Sequence, residues 1–166
     1  DLEYAETLYF SENAAQILSQ ALAEGAHIVT DTQMALSGIN KKTLAAFGGQ
    51  VHCFMADEDV ARQARGRGVT PACVAMEKAA TLSVPLIFAI GNAPTALLRL
   101  DELVREGTVR PRLIIGVPVG FVNVVQSKER IMNAGVPCIV AKGRKGGSNV
   151  AAAIVNAGLY RLTRAE

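Results

Sequence analysis

Tryptophan is absent from this 166-residue chain, aromatic residues make up only 5% of it, and there are two histidines and three cysteines. Each shortage excludes something. With few rings, the apolar half of the chain is mostly Ala, Val, Leu and Ile, the usual filling of a parallel sheet flanked by helices. Cys53, Cys73 and Cys138 are odd in number and lack metal-ligand spacing. That excludes a disulfide framework or zinc cluster and leads us to expect reduced thiols in a cytoplasmic protein. No Ser/His/Asp or Cys/His arrangement can be assembled around His27 and His52, which lie in or beside strand-like stretches and read as buried, hydrogen-bonded side chains. Charge is scarce as well: 19% of residues are charged and the formal net charge is +2, with no basic face to suit a nucleic acid. No apolar run approaches the roughly 20 residues that span a bilayer. The acidic opening DLEYAETLYF lacks the pattern of a signal peptide.

What is present is an alternation of short apolar runs with helical patterns. Residues 85–90 form a continuous apolar run, read as a strand buried on both faces and central to the sheet. It stops at Gly91 and Asn92, and Pro94 fits the first turn of the following helix. This loop is expected to present Asn92, Thr95 and free backbone N–H groups. Four more strands are predicted at 27–30, 51–55, 112–116 and 136–140. Helices are expected at 13–24 (capped by Ser11), from Gln33 to Gly38, at 41–47, from Asp57 to Gly66 or Gly68, at 71–80, 95–105, 123–133 and 149–157, with a tail from Tyr160. The expectation is one domain over 1–166, a three-layer α/β/α fold on a five-stranded, mostly parallel sheet in the order 2-1-3-4-5. That order puts the switch point, where open α/β sheets bind ligands, between the loops at 31–38 and 91–95.

Three loops carry candidate chemistry, each with a bland alternative. GRKGGS at 143–148 ends a strand and opens a helix. It is either an anion-binding loop using Arg144, Lys145 and the N–H groups of Gly146, Gly147 and Ser148, or a tight turn with solvated basic residues. Its glycine spacing matches neither a Walker loop nor a dinucleotide fingerprint. GVPVGFVNVVQSK at 116–128 bends at Pro118 and Gly120, and Asn123 is a candidate helix cap. Its Phe121 is either an apolar wall for a flat ligand or a core residue. Asp31 is either a general acid or base or a cap on the next helix. Met34 either faces an apolar ligand or packs in the core.

Taken together and in order, DTQMALSGI, GNAPTALLRL, GVPVGFVNVVQSKE and GRKGGSNVAAAIVNA resemble the precorrin-8X methylmutase family, cobalt-precorrin-8 form included, over residues 1–159. The resemblance implies a flavodoxin-like fold, a homodimer, and isomerase activity in cobalamin biosynthesis. The implied reaction moves a ring methyl of a tetrapyrrole from C11 to C12, giving hydrogenobyrinic or cobyrinic acid. Any cobalt is carried by the substrate, and no cofactor, nucleic acid or membrane is implied. Thr32, Asn92 and Thr95 would position the ring edge, Met34 and Gly120 would border it, and the GRKGGS loop would take its carboxylates. Thr30 to Met34 lean toward the cobalt-type members. The resemblance also implies that the catalytic acid is a histidine just ahead of the stretch matching residues 1–6. Neither His27 nor His52 matches it, so the expectation is a chain lacking its N-terminal segment, with little or no turnover. Two other readings stand beside this one: a phosphate-ligand (FMN-type) module, disfavoured by the few aromatics, and an inactive homologue that binds corrinoid.

Overall fold

A computed structural model describes residues 7–164. The abrupt start at Asp1 and the matching of residues 1–6 therefore lie outside the described residues. The elements run β1 (Leu8–Phe10), α1 (Ala14–Ala23), β2 (His27–Thr30), α2 (Gln33–Gly38), α3 (Lys41–Ala46), β3 (Val51–His52) and α4 (Glu58–Arg67). They continue α5 (Pro71–Ala79), β4 (Leu86–Ile90), α6 (Pro94–Arg105), β5 (Leu113–Gly116), α7 (Val124–Met132), β6 (Cys138–Ala141) and α8 (Ser148–Arg164).

The sheet has six strands in the order β1-β6-β5-β4-β2-β3, which corrects the expected five. Five are parallel, and β1 joins β6 antiparallel, pairing Leu8 with Ala141 and Phe10 with Ile139. A three-residue strand has no alternation of its own to read, and its only partner is about 130 residues away in sequence. β4 is the central strand and every one of its residues is buried.

Side chains alternate across the sheet and build two cores. Val29, Phe88, Ile90, Ile114 and Val140 face α4 to α7, while Ile28, Ile87, Ala89, Leu113, Ile115 and Ile139 face α1, α3 and α8. Helices thus cover both faces, which is why the strands read as unbroken apolar runs.

Three differences from expectation stand out beyond shifts of a residue or two at element ends. β3 ends at His52, and Phe54 and Met55 are apolar because they pack against the helix-side core, not because they pair in the sheet. The tail from Tyr160 is helical to Arg164, since Leu159 and Leu162 continue the apolar stripe of Val155. Ser11 does not cap α1. Its Oγ accepts from the Cys138 N–H at 2.8 Å, fastening the chain to β6, and Asn13 enters the helix with φ 60° and no side-chain bond. Among the described residues no helix is long and apolar enough to cross a membrane.

Candidate active site

The parallel strands leave five loops on one edge of the sheet: 31–32 after β2, 53–57 after β3, 91–93 after β4, 117–123 after β5 and 142–147 after β6. Asp31, 3% exposed, organises the centre. Its Oδ1 accepts from the Gly91 N–H at 2.8 Å, and its Oδ2 from those of Asn92 and Ala93 at 2.9 and 2.6 Å. Burial pushes its carboxyl above the usual range, against the pull of these three amides. Two expectations are corrected here. The amides after β4 are not free, because Asp31 occupies them. Asp31 caps no following helix, its two oxygens being turned to the amides of 91–93; Thr32 caps α2 instead, accepting from the Ala35 N–H at 3.0 Å.

Thr32 also joins two loops, its Oγ1 lying 2.7 Å from Ser148 Oγ at the start of α8. Gly91 lets them meet: a Cβ there would come within 2.7 Å of Ser148 Cα and 2.9 Å of the Gly147 carbonyl carbon. The glycine loop also rests on the exit of β5, where the Gly147 N–H donates to Val117 O at 2.8 Å. A Cβ on Gly146, whose φ is 151°, would strike the same carbonyl. The Gly147 amide is therefore not available to an anion, contrary to expectation, and Ser148 Oγ already has a partner. The charge in this loop is carried by Arg144 and Lys145, both exposed.

Of the other expected site residues, Met34 is 61% exposed on α2, which removes the core reading. Asn92 is exposed beside Asp31, and Thr95 in the first turn of α6 accepts from Thr70 Oγ1 at 3.4 Å. Gly120 has φ 111°, a conformation that favours glycine. Next to it Phe121 and Val122 are each 80% exposed, and the Arg144 guanidinium stands 5.3 Å from the Phe121 ring centre. Phe121 is not a core residue. Asn123 precedes α7 without a side-chain cap. The histidines pair with each other, His27 Nδ1 and His52 Nε2 lying 2.9 Å apart between the first residue of β2 and the last of β3, and both side chains are half-buried rather than buried. An apolar cavity of about 500 Å³ is lined by β1, α1, β6 and α8 and not by the 31–32, 91–93 or 117–123 loops. Among the described residues no cluster of His, Cys, Asp and Glu could hold a metal.

Two residues escaped the sequence reading. Lys128 is 1% exposed on α7 and donates to the carbonyls of Gly143 and Lys145 at 2.9 and 2.7 Å; burial lowers its pKa to about 8. A signal for it exists, because Val124, Ser127, Lys128 and Ile131 form the buried i, i+3, i+4, i+7 stripe of α7, so this lysine stands where an apolar residue is due. Asp101 is fully buried on α6 and pairs with Arg105 at 2.7 Å and Arg130 at 3.1 Å, fixing α6 against α7.

Comparison with known proteins agrees with this arrangement. The family model of precorrin-8X methylmutase matches residues 1–161. A cobalt-precorrin-8 methylmutase of Salmonella typhimurium is 47% identical over 166 residues, covering 99% of this chain and 77% of that protein. One from Priestia megaterium is 42% identical over 157 residues, covering 95% of this chain and 70% of that protein. The solved structure of a precorrin-8X methylmutase from Thermus thermophilus superposes with a TM-score of 0.89 at 37% identity, covering 99% of this chain and 81% of that one. With four loop motifs gathered on one sheet edge and this likeness along the whole chain, the protein belongs to the precorrin-8X methylmutase family.

Proposed function

We propose that this chain is an isomerase of cobalamin biosynthesis that moves a methyl group from C11 to C12 of cobalt-precorrin-8 or precorrin-8X, giving cobyrinic or hydrogenobyrinic acid. The observation that carries the reading is the meeting of a fixed basic loop with an exposed apolar tip. Arg144 and Lys145 project from a loop held at both ends, beside Phe121 and Val122, at the carboxyl edge of the sheet. A flat macrocycle edged with acetate and propionate groups needs both. Phe121 and Val122 cover the ring face, Met34 and Gly120 border it, and Arg144 and Lys145 take carboxylates. Asn92, Thr95 and Thr32 stand along the ring edge. Gly146, Gly147 and Ser148 shape the cradle; the Gly147 N–H is taken by Val117 O, and the Ser148 N–H opens α8 toward a carboxylate. Names of relatives that carry the cobalt form favour the cobalt complex, the metal being part of the substrate, and the protein supplies no cofactor.

The reaction breaks one C–CH3 bond and forms another within the same molecule, so no group leaves. The protein contributes by holding the ring in the geometry of the shift and excluding water, with one proton donor at the ring. That donor is not assigned to a residue of this chain, since both Asp31 oxygens accept from amides and the two histidines are bonded to each other. The protein is read as a single-domain cytoplasmic homodimer. A visible-absorbance titration with cobyrinic acid tests the proposal: saturable binding, weakened by Arg144→Ala, is expected. Absence of binding, or binding indifferent to Arg144→Ala, would overturn it.

A further inference from the structure

Lys128 is out of place by ordinary energetics. A lysine on the buried stripe of a helix costs stability unless an anion accompanies it. Among the described ion pairs none includes Lys128. Its Nζ bonds two carbonyls instead, those of Gly143 and Lys145. These are the residues on either side of Arg144, so the bonds fix the backbone that carries that side chain. The Arg144 guanidinium in turn lies over Phe121, in the loop that leads into α7, the helix of Lys128 itself. The contacts close a ring: α7, Lys128, the glycine loop, Arg144, Phe121 and back to α7.

We infer that Lys128 is a positioning residue, holding Arg144 where it meets a substrate carboxylate by clamping the carbonyls on both sides of it. The inference rests on the proposed corrin site but goes beyond it, since Lys128 itself touches no substrate. An apolar residue would pack better on this stripe, and the depressed pKa reflects the burial that the lysine endures. What the lysine adds is geometry: it fixes the carbonyls on either side of Arg144 in a loop of three glycines.

The test is a double-mutant cycle on the full chain with cobyrinic acid as the probe, using Lys128→Met, Lys128→Gln and Arg144→Ala. Folding of each variant is checked by circular dichroism. Lys128→Met is expected to raise Kd about tenfold in the parent chain and less than about twofold in the Arg144→Ala background. Effects that simply multiply would reduce Lys128 to a diffuse positive charge and overturn the inference, as would an unchanged Kd. Amide hydrogen exchange without ligand gives a second readout. Residues 143–147 should exchange faster in Lys128→Met while β4 amides keep their protection; unchanged loop exchange removes the clamp whatever the binding data show. If the parent chain binds no corrin, the site reading and this inference fall together. If Arg144→Ala weakens binding and Lys128→Met does not, only the inference falls.

Discussion

Replacing Asp31 by asparagine is ordinarily a mild change, yet here it should be among the most damaging in the protein. Both carboxylate oxygens receive backbone N–H groups, three in all at 2.6 to 2.9 Å. Hydrogen bonds to a charged acceptor contribute about 1.5–3 kcal/mol each, but they share one buried group whose desolvation offsets part of the sum. The net loss for Asp31→Ala is therefore set at about 3–5 kcal/mol, the cost of removing one side of a buried charged network. Asparagine keeps one acceptor and turns an NH2 group toward amides that are themselves donors. Asp31→Asn should then be no better than Asp31→Ala, reversing the usual ranking.

Urea denaturation followed by circular dichroism measures this directly; with no Trp in the chain, tryptophan fluorescence offers no signal. A lower midpoint with unchanged slope identifies a stability loss rather than a change in the unfolded state. An asparagine variant within about 1 kcal/mol of the parent would refute the reasoning, because the amides of Gly91, Asn92 and Ala93 would then not depend on the carboxylate.

Four further outcomes are expected. Gly91→Ala should cost several kcal/mol in the same assay and weaken corrin binding, since its Cβ would press within 2.7 Å of Ser148 Cα, a backbone atom that cannot swing aside. Asp101→Ala should lose about 1–2 kcal/mol, read as a fall in urea midpoint, since the two arginines it releases are half-exposed and regain water. Phe121→Ser should change stability by less than about 0.5 kcal/mol, the ring being exposed, while weakening corrin binding in an absorbance titration. For Lys128 the folded pKa of about 8 lies below the ordinary 10.5, so between these values the unfolded chain holds a proton that the folded chain has released. Stability relative to Lys128→Met should therefore rise across pH 8 to 10.5, by about 3 kcal/mol at most, and a flat difference would contradict the burial.

Legibility from sequence followed the range of the interactions. β4 was readable because all five of its residues are buried and leave an unbroken apolar run bounded by Pro85 and Gly91. β2, β5 and β6 carry the same kind of run, and their loops hold enough glycine and proline to mark the turns. β1 was not readable, because three residues cannot display a period and their order comes from pairing with β6 at the far end of the chain. Residues 53–55 misled for a related reason: apolar content records burial, and burial under helices looks the same as burial within a sheet.

The site divides along the same line. The residue types at its rim were visible, since Arg144, Lys145, Phe121 and the glycines stand in loops whose composition is unusual on sight. What holds the rim was harder to see: Asp31 to 91–93 and Thr32 to Ser148 join loops far apart in sequence, and the stripe of α7 shows that Lys128 is buried but not that it bonds 143 and 145. A carboxylate at a strand end reads as an acid or a cap from its neighbours alone, and only the crossing of β2 beside β4 makes it an amide acceptor. The packing of the glycine loop on the exit of β5 likewise consumes one backbone donor of that turn, the Gly147 N–H, which donates to Val117 O. With the Gly147 amide so engaged, the exposed Arg144 and Lys145 carry the side-chain charge that an anion meets at this edge. Charge held by a bidentate guanidinium is selective for carboxylates in a way that a lysine is not. Arg144→Lys, which keeps the charge and loses the fork, should accordingly recover only part of the affinity lost in Arg144→Ala, and full recovery would show that charge alone suffices.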